Sequence, residues 1–510
     1  MRKLAECLTL ALTFFFCAPA AFAHAHLERS EPKANATLKQ SPKTVELWFS
    51  EELEPSMNTV AVTDQTGRRV DKNNVTLAEG GKKLEVELED LASGTYTVDW
   101  KVLSTDQHPM KGKFAFTVAL AGGSAATAPT TPAGAQQAEQ PKQTEQPTPP
   151  QTSPAESTQE SGSSWAQSVV RWPEYLAMMA LLGGFAFRLL VLEPSLRQVH
   201  DLDVAERAAV LSSSARRFAQ LAWWSIVLLA LATLAALVLQ TAAVLDAGVS
   251  SALSPSSLYR VITQTSYGGP WLLQVVTLVF LAILLLLVGE RTDSRGLLWA
   301  GLVITAVMML SPSLTGHARA AAKEYHFTVF SDWLHLVAAG FWLGGLFHLT
   351  LTMTRGVSRL KGRERLRVLE RAIPLFTRLA VASIIVIALT GIYNSWIHVD
   401  RLSALWSTPY GVALSVKIII FLIMVALGGL NTFVIHPKAK RLLAGEGEAT
   451  TGEHVKLDRS FYRSVGIEAV LGVAVLLAAA VLVFLQPARE HPAQMTRAET
   501  SGSVITQDRR

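Results

Sequence analysis

Residues 218–245 read FAQLAWWSIVLLALATLAALVLQTAAVL, without one charged side chain. An α-helix needs only about twenty apolar residues to cross a bilayer, so this stretch predicts a membrane span and sets the class of the chain. Working outward, seven more stretches qualify: 170–193, 269–289, 296–314, 327–352, 373–397, 411–435 and 464–486. The prediction for residues 165–487 is therefore an all-α polytopic bundle of about eight helices, with the lipid bilayer as its surroundings. Composition agrees, at 50% hydrophobic and 17% charged over 510 residues, too apolar for an ordinary soluble protein. The net charge of +5 does not indicate nucleic acid, because the basic residues sit in short loops between apolar runs. The loops after the first, third, fifth and seventh predicted helices hold 19 Lys and Arg, against four in the other connecting loops. By the positive-inside rule the first set faces the cytoplasm, and both the residues ahead of the first helix and the C-terminus lie outside.

The N-terminus supports the same orientation. Arg2 and Lys3 precede the apolar run Leu8–Phe16, and Ala21-Phe22-Ala23 has the small-x-small form of a cleavage site, which predicts a signal peptide over 1–23. The chain's two cysteines, Cys7 and Cys17, fall inside it, so the processed chain has no disulfide framework and no Cys-based zinc or iron–sulfur site. Between residues 24 and 120 the apolar pattern has period two, at 45–49, 58–63, 84–88, 95–102 and 113–118, with turn residues between the runs. That pattern predicts an all-β sandwich of immunoglobulin-like type. Residues 121–164 are mostly Ala, Pro, Thr, Gln, Ser and Gly, a composition that cannot bury a core and reads as a linker. Residues 488–510 form a polar tail.

Cleavage after Ala23 would place an α-amine and an imidazole on one residue, His24. Near the end of the β domain, Asp106 and His108 are two apart in an extended loop and project to one side. Together these groups make a three-nitrogen, one-oxygen set, which suits tetragonal Cu(II) better than tetrahedral zinc. The alternative is an ordinary terminus, with Asp106 capping the turn before Pro109 and His108 half-buried. The stretches HAHLERSEPKANATL, VELWFS and STDQHPMKGKFAFTV resemble the CopC family of periplasmic copper-binding domains over essentially all of 24–120. That resemblance implies a Cu(II) histidine brace made by His24, Asp106 and His108. His26 ranks second, as part of an amine–amide–imidazole chelate. With only Met57 and Met110 in the domain, a thioether Cu(I) site is not expected there.

Within the bundle, ionisable residues are costly and are functional candidates by default. His317 precedes the fifth helix, on which Asp332 and His335 are three apart and share a face, with Trp342 one heptad further along. The alternative for this group is interfacial packing with an Asp–His hydrogen bond. The patterns Gly316-His317-Ala318, Asp332-x-x-His335, Trp342-Leu-Gly-Gly345, Tyr410-Gly411…Lys417 and Glu468-Ala-Val-Leu-Gly472 resemble the CopD family of copper-transport membrane proteins over roughly 165–487. A CopC domain ahead of a CopD domain is similar to the YcnJ-type copper-uptake fusions. The membrane copper path implied runs through His317, Asp332, His335 and Glu468, which could balance a passing cation. Glu174 with Met178 on the first helix, and Met308 with Met309 on the fourth, are secondary candidates: thioethers suit Cu(I), although methionine is commonly packing. Lys417 is expected to snorkel or to pair with a carboxylate.

The function expected is copper acquisition across the cytoplasmic membrane, with Cu(II) at the outer domain and Cu(I) or Cu(II) in the bundle. The chain is read as a non-enzyme. The sequence lacks G-x-x-x-x-G-K-[ST], so no nucleotide drives the process through this chain, and a reductase or metallochaperone partner is left unspecified. The alternative is a copper-resistance or sensing protein that sequesters copper outside without transporting it. A haem carrier is disfavoured because His335 and His348, thirteen apart, lie on largely opposed faces of one helix.

Overall fold

The structure, a computed structural model, describes residues 27–105, 107–120, 162–200, 202–288, 294–315, 325–353, 356–357, 360, 362–399, 401–444 and 451–485. His24, His26, Asp106 and His317 lie outside the described residues, as do the signal peptide, nearly all of the linker and the polar tail. The chain divides into two compact units, a β unit and a helical unit.

The β unit has eight strands: β1 Leu27–Glu31, β2 Thr37–Leu38, β3 Thr44–Phe49, β4 Thr59–Thr63, β5 Thr76–Ala78, β6 Lys83–Glu87, β7 Gly94–Leu103 and β8 Pro109–Val118. They form two four-stranded sheets, ordered β1-β3-β6-β5 and β2-β8-β7-β4. Alternation is why they pair as they do. Val45, Leu47 and Phe49 of β3 point into the core while Thr44, Glu46 and Trp48 are only partly covered, and a register slip of one residue would reverse this. Phe49 and Trp100 meet edge to face with ring centroids 5.2 Å apart across the two sheets, a pairing worth about 0.5–1.5 kcal/mol beyond the area buried.

The five expected strands are present, joined by β1 and the short β2 and β5, and one of the five differs in extent. β8 starts at Pro109 rather than 113, because Met110 and Gly112 pair with Val102 and Trp100 of β7. Pro109 and Gly112 read as loop residues in sequence. Gly112 is glycine for steric reasons: a Cβ there would overlap the Trp100 indole. The extended pairing leaves only residues 104–108 to connect two ten-residue strands.

Among the described residues the helical unit has eight helices long and apolar enough to span a membrane: α1 Trp165–Gln198, α2 Val204–Leu245, α3 Gly268–Leu287, α4 Arg295–Thr315, α5 Tyr325–Met353, α6 Glu364–His398, α7 Pro409–Arg441 and α8 Ser460–Leu482. Their number matches the sequence reading, but α2 and α6 begin well before their apolar windows. Charged turns such as Arg216-Arg217 continue the helix where backbone bonds no longer need hydrocarbon around them.

α1 is the central helix, with 83% of its apolar window buried inside the protein against 17% for α7. It crosses α5 at the backbone. A Cβ on Gly183 of α1 would fall inside the Gly344 backbone of α5, and one on Gly344 would strike the Met179 carbonyl. Small residues allow that approach where apolar association alone gives helices no grip in lipid. Outward-facing Ile419, Leu422 and Phe433 of α7 and Leu389 and Ile392 of α6 are exposed, as a lipid-facing surface requires. α5 and α7 each contain a π-helical turn, Gly340–Gly344 and Asn431–Ile435.

Candidate metal sites in the two units

In the β unit, residues 104–108 are held by a clamp of acidic and amide side chains. Ser104 N–H donates to the His108 carbonyl at 3.1 Å and Gln107 N–H to Ser104 O at 2.9 Å, closing a tight turn with Gln107 at a left-handed φ of 74°. Ser104 Oγ donates to Glu51 Oε2 at 2.9 Å and Gln107 Nε2 to Glu54 Oε1 at 2.6 Å. Thr105 N–H donates to Glu52 O at 3.0 Å, and Asn58 Oδ1 accepts from Leu103 N–H at 3.1 Å. His108 is buried at the foot of this turn.

β1 starts at the same end. Leu27 pairs with Phe49, the last residue of β3, and the chain leaving β3 supplies Glu51, Glu52 and Glu54 to the clamp. Leu27, the first described residue of the unit, therefore lies at the sheet edge that adjoins this turn. The sequence reading singled out Asp106 and His108 but missed the clamp. Its only sequence trace is the acidic run Glu51-Glu52-Leu53-Glu54.

In the helical unit, Asp332 and His335 line one cavity of about 690 Å³ together with Trp342. His335 Nδ1 lies 2.8 Å from Thr390 Oγ1 of α6, and the hydroxyl in turn donates to Val386 O at 2.7 Å. Thr390 thus fixes the imidazole ring. Lys417 of α7 also lines the cavity, and its charge acts on both Asp332 and His335. Met179 of α1 and Met424 of α7 add thioethers to the wall, while His398 and Tyr410 stand toward its mouth with ring centroids 6.2 Å apart. Trp342 packs edge to face on Phe421, centroids 5.6 Å apart. The cavity belongs to the end of the bundle formed by the starts of α1, α5 and α7 and the ends of α6 and α8.

The secondary candidates are placed elsewhere. Glu174 is 2% exposed, and both its oxygens are engaged: Oε1 accepts from Gln274 Nε2 at 2.6 Å and Oε2 from Arg171 Nη1 at 3.0 Å. Gln274 also donates to Thr233 Oγ1 and accepts from Ser311 Oγ, and Arg171 reaches Thr315 Oγ1. This network ties α1 to α2, α3 and α4, so Glu174 serves as a structural tie and does not pair with Met178 as a ligand. Met178, Met308 and Met309 are buried in the apolar core; a Cβ on Gly340 would lie 3.2 Å from the Met309 methyl. Met179, one residue on from Met178, is buried in the same core and borders the cavity.

His348 has both ring nitrogens occupied, Nδ1 beside Thr352 Oγ1 at 2.9 Å and Nε2 beside the Ala180 carbonyl at 3.0 Å. It packs the core and has no nitrogen left for haem iron. Glu468 is 2% exposed and accepts a hydrogen bond from Asn431 Nδ2, a partner 37 residues away that the sequence did not disclose. Among the described residues no group of three His, Cys, Asp or Glu converges on one point; two of the three brace residues are not among them.

Comparison with known proteins gives the same division into parts. The CopC domain family matches residues 27–119, the copper resistance protein D-like N-terminal domain matches 161–327, and copper resistance protein D matches 370–482. The chain is 26% identical over 506 residues to the copper transport protein CutJ of Bacillus subtilis, covering 98% of this chain and 81% of that one. The β unit is 34% identical over 105 residues to copper resistance protein C of Xanthomonas campestris pv. juglandis, 19% of this chain and 82% of that one. Copper resistance protein D of Pseudomonas syringae pv. tomato is 29% identical over 221 residues, 42% of this chain and 67% of that one. With a β sandwich whose turn positions His108 and a helical bundle whose cavity gathers Asp332 and His335, the chain belongs to the CopC–CopD copper resistance family, as a fusion of both domains.

Proposed function

We propose that this protein acquires copper across the cytoplasmic membrane. The β unit, held outside, captures Cu(II) through the amine and imidazole of His24 with Asp106 and His108. The helical unit then receives the ion in the cavity lined by Asp332 and His335, with His317 as a further ligand on entry and Glu468 further along the path. No step makes or breaks a covalent bond in a substrate, so the role is binding and translocation rather than catalysis.

The observation that carries this reading is the cavity itself. It joins a carboxylate and an imidazole to two thioethers within a bundle of membrane-spanning length, a donor range that accommodates Cu(II) through oxygen and nitrogen and Cu(I) through sulfur. Lys417 has a defined part: its ammonium offsets the Asp332 carboxylate, and an arriving copper cation competes with it for that charge. The excess of Lys and Arg in the loops at the opposite end of the bundle supports an outer position for the cavity and the start of α1. The C-terminus is outside as well.

Deleting the gene tests direction and role together. Import predicts a lower cellular copper content during growth on limiting copper. A rise in cellular copper would reverse the direction. An unchanged content, with loss of copper tolerance, would favour outer sequestration, the role suggested by the copper resistance proteins to which both halves are similar.

A further inference from the structure

α7 and α8 run antiparallel with a constant register that leads from the cavity to a second polar cluster. Met424 and Val475 both line the cavity. Seven residues further along α7, and seven back along α8, Asn431 Nδ2 donates to Glu468 Oε1. At 1.5 Å per residue that is about 10 Å deeper into the bundle. The interval is apolar and tight. A Cβ on Gly472 would lie 3.0 Å from Leu343 and 3.5 Å from the Met424 methyl, and one on Gly428 would lie 3.7 Å from Glu468 Oε2.

Asn431 opens the π-turn, and its carbonyl accepts the N–H of His436. His436 therefore sits one wide turn beneath Asn431, as Ser464 sits one turn beneath Glu468. Three side-chain atoms here are buried with no hydrogen-bond partner among the described residues: Asn431 Oδ1, His436 Nε2 and Ser464 Oγ. Asn431 is 7% exposed and Glu468 2%. A carboxylate only accepts, so the amide nitrogen of Asn431 faces it and the amide oxygen is left wanting a donor or a cation. Burying a carboxylate and an unused acceptor in apolar surroundings is costly, and a cation satisfies both.

We propose that Glu468 and Asn431 Oδ1 form an inner cation station, separated from the cavity by the apolar interval at Leu343, Met424 and Gly472, with His436 and Ser464 next along the way out. The inference rests on the transport reading for the source of the ion. Its donors are oxygen with imidazole nitrogen in reach, a set that favours Cu(II) over Cu(I). The outer cavity and inner station are thus two stops for one ion, and the interval between them is the barrier that must open.

The test uses the full-length protein in detergent with His108→Ala, which silences the sandwich site. Cu(II) binding is followed by electron paramagnetic resonance and by competition titration. Glu468→Gln keeps an acceptor for Asn431 and so preserves the fold, yet removes the charge; it is expected to weaken one class of Cu(II) site at least about tenfold and to erase its signal. Asn431→Asp adds a carboxylate and is expected to tighten the same class by at least about tenfold. If both variants titrate like the parent, the station does not exist. Liposome uptake by the wild type separates this failure from that of the transport reading. Opposite shifts in binding with no uptake would leave the station standing and remove transport, whereas uptake with unshifted binding would do the reverse.

Discussion

A single residue added ahead of His24 is expected to weaken Cu(II) binding by the 24–120 sandwich about 100-fold or more, since losing a ligand outright should cost at least as much as losing an outer-shell partner. The extension leaves every strand intact but converts the α-amine of His24 into an amide and moves its imidazole off the end of the chain. His108→Ala should have an effect of the same order. The turn around His108 is held by Glu51, Glu52, Glu54 and Asn58, and Leu27 of β1 pairs with Phe49 just ahead of that acidic run; a ligand on so fixed a turn is not easily replaced by another group. Isothermal titration with Cu(II) reads the effect directly. Equal affinities for the native and extended termini would remove the His24 amine from the site. Binding should also weaken as pH is lowered, because protons compete with copper for the same nitrogen lone pairs.

In the membrane unit, Asp332→Asn and His335→Ala are each expected to lower copper accumulation at least about tenfold, to the level of the deletion, while the released sandwich still binds Cu(II). A tenfold loss corresponds to about 1.4 kcal/mol on the barrier to entry, a modest demand for removing a charge or an imidazole from a low-dielectric cavity. Thr390→Val should give a smaller loss, because it frees the His335 ring without deleting it. Cellular copper measured by mass spectrometry, with membrane levels of each variant checked by immunoblot, distinguishes these outcomes. Accumulation unchanged in both Asp332→Asn and His335→Ala would move the path away from this cavity.

What was legible in the sequence follows from the range over which each feature is encoded. Eight spans were visible because hydrocarbon thickness demands a long apolar window in one continuous stretch. β3 was visible because Val45, Leu47 and Phe49 alternate with half-covered neighbours. The first half of β8 was not, since Pro109 and Gly112 signal a turn locally and are strand residues only because Leu103 and Trp100 face them. Asp332 and His335 share a wall because three residues on a helix share a face. The rest of the wall comes from Met179, Lys417 and Met424 on other helices, and sequence does not say which faces of distant helices meet. For the same reason sequence could not say that Met179 rather than Met178 borders the cavity. The partnership of Asn431 and Glu468 depended on a π-turn, which no local pattern announces.

This chain is expected to move copper through its own membrane unit after catching it outside. Purified full-length protein, reconstituted in liposomes with the β unit outward and supplied separately with Cu(II) and with Cu(I), should load the lumen with copper faster than liposomes carrying Asp332→Asn protein. Equal loading by wild-type, Asp332→Asn and protein-free vesicles, with Cu(II) still bound at the outer domain, would contradict it.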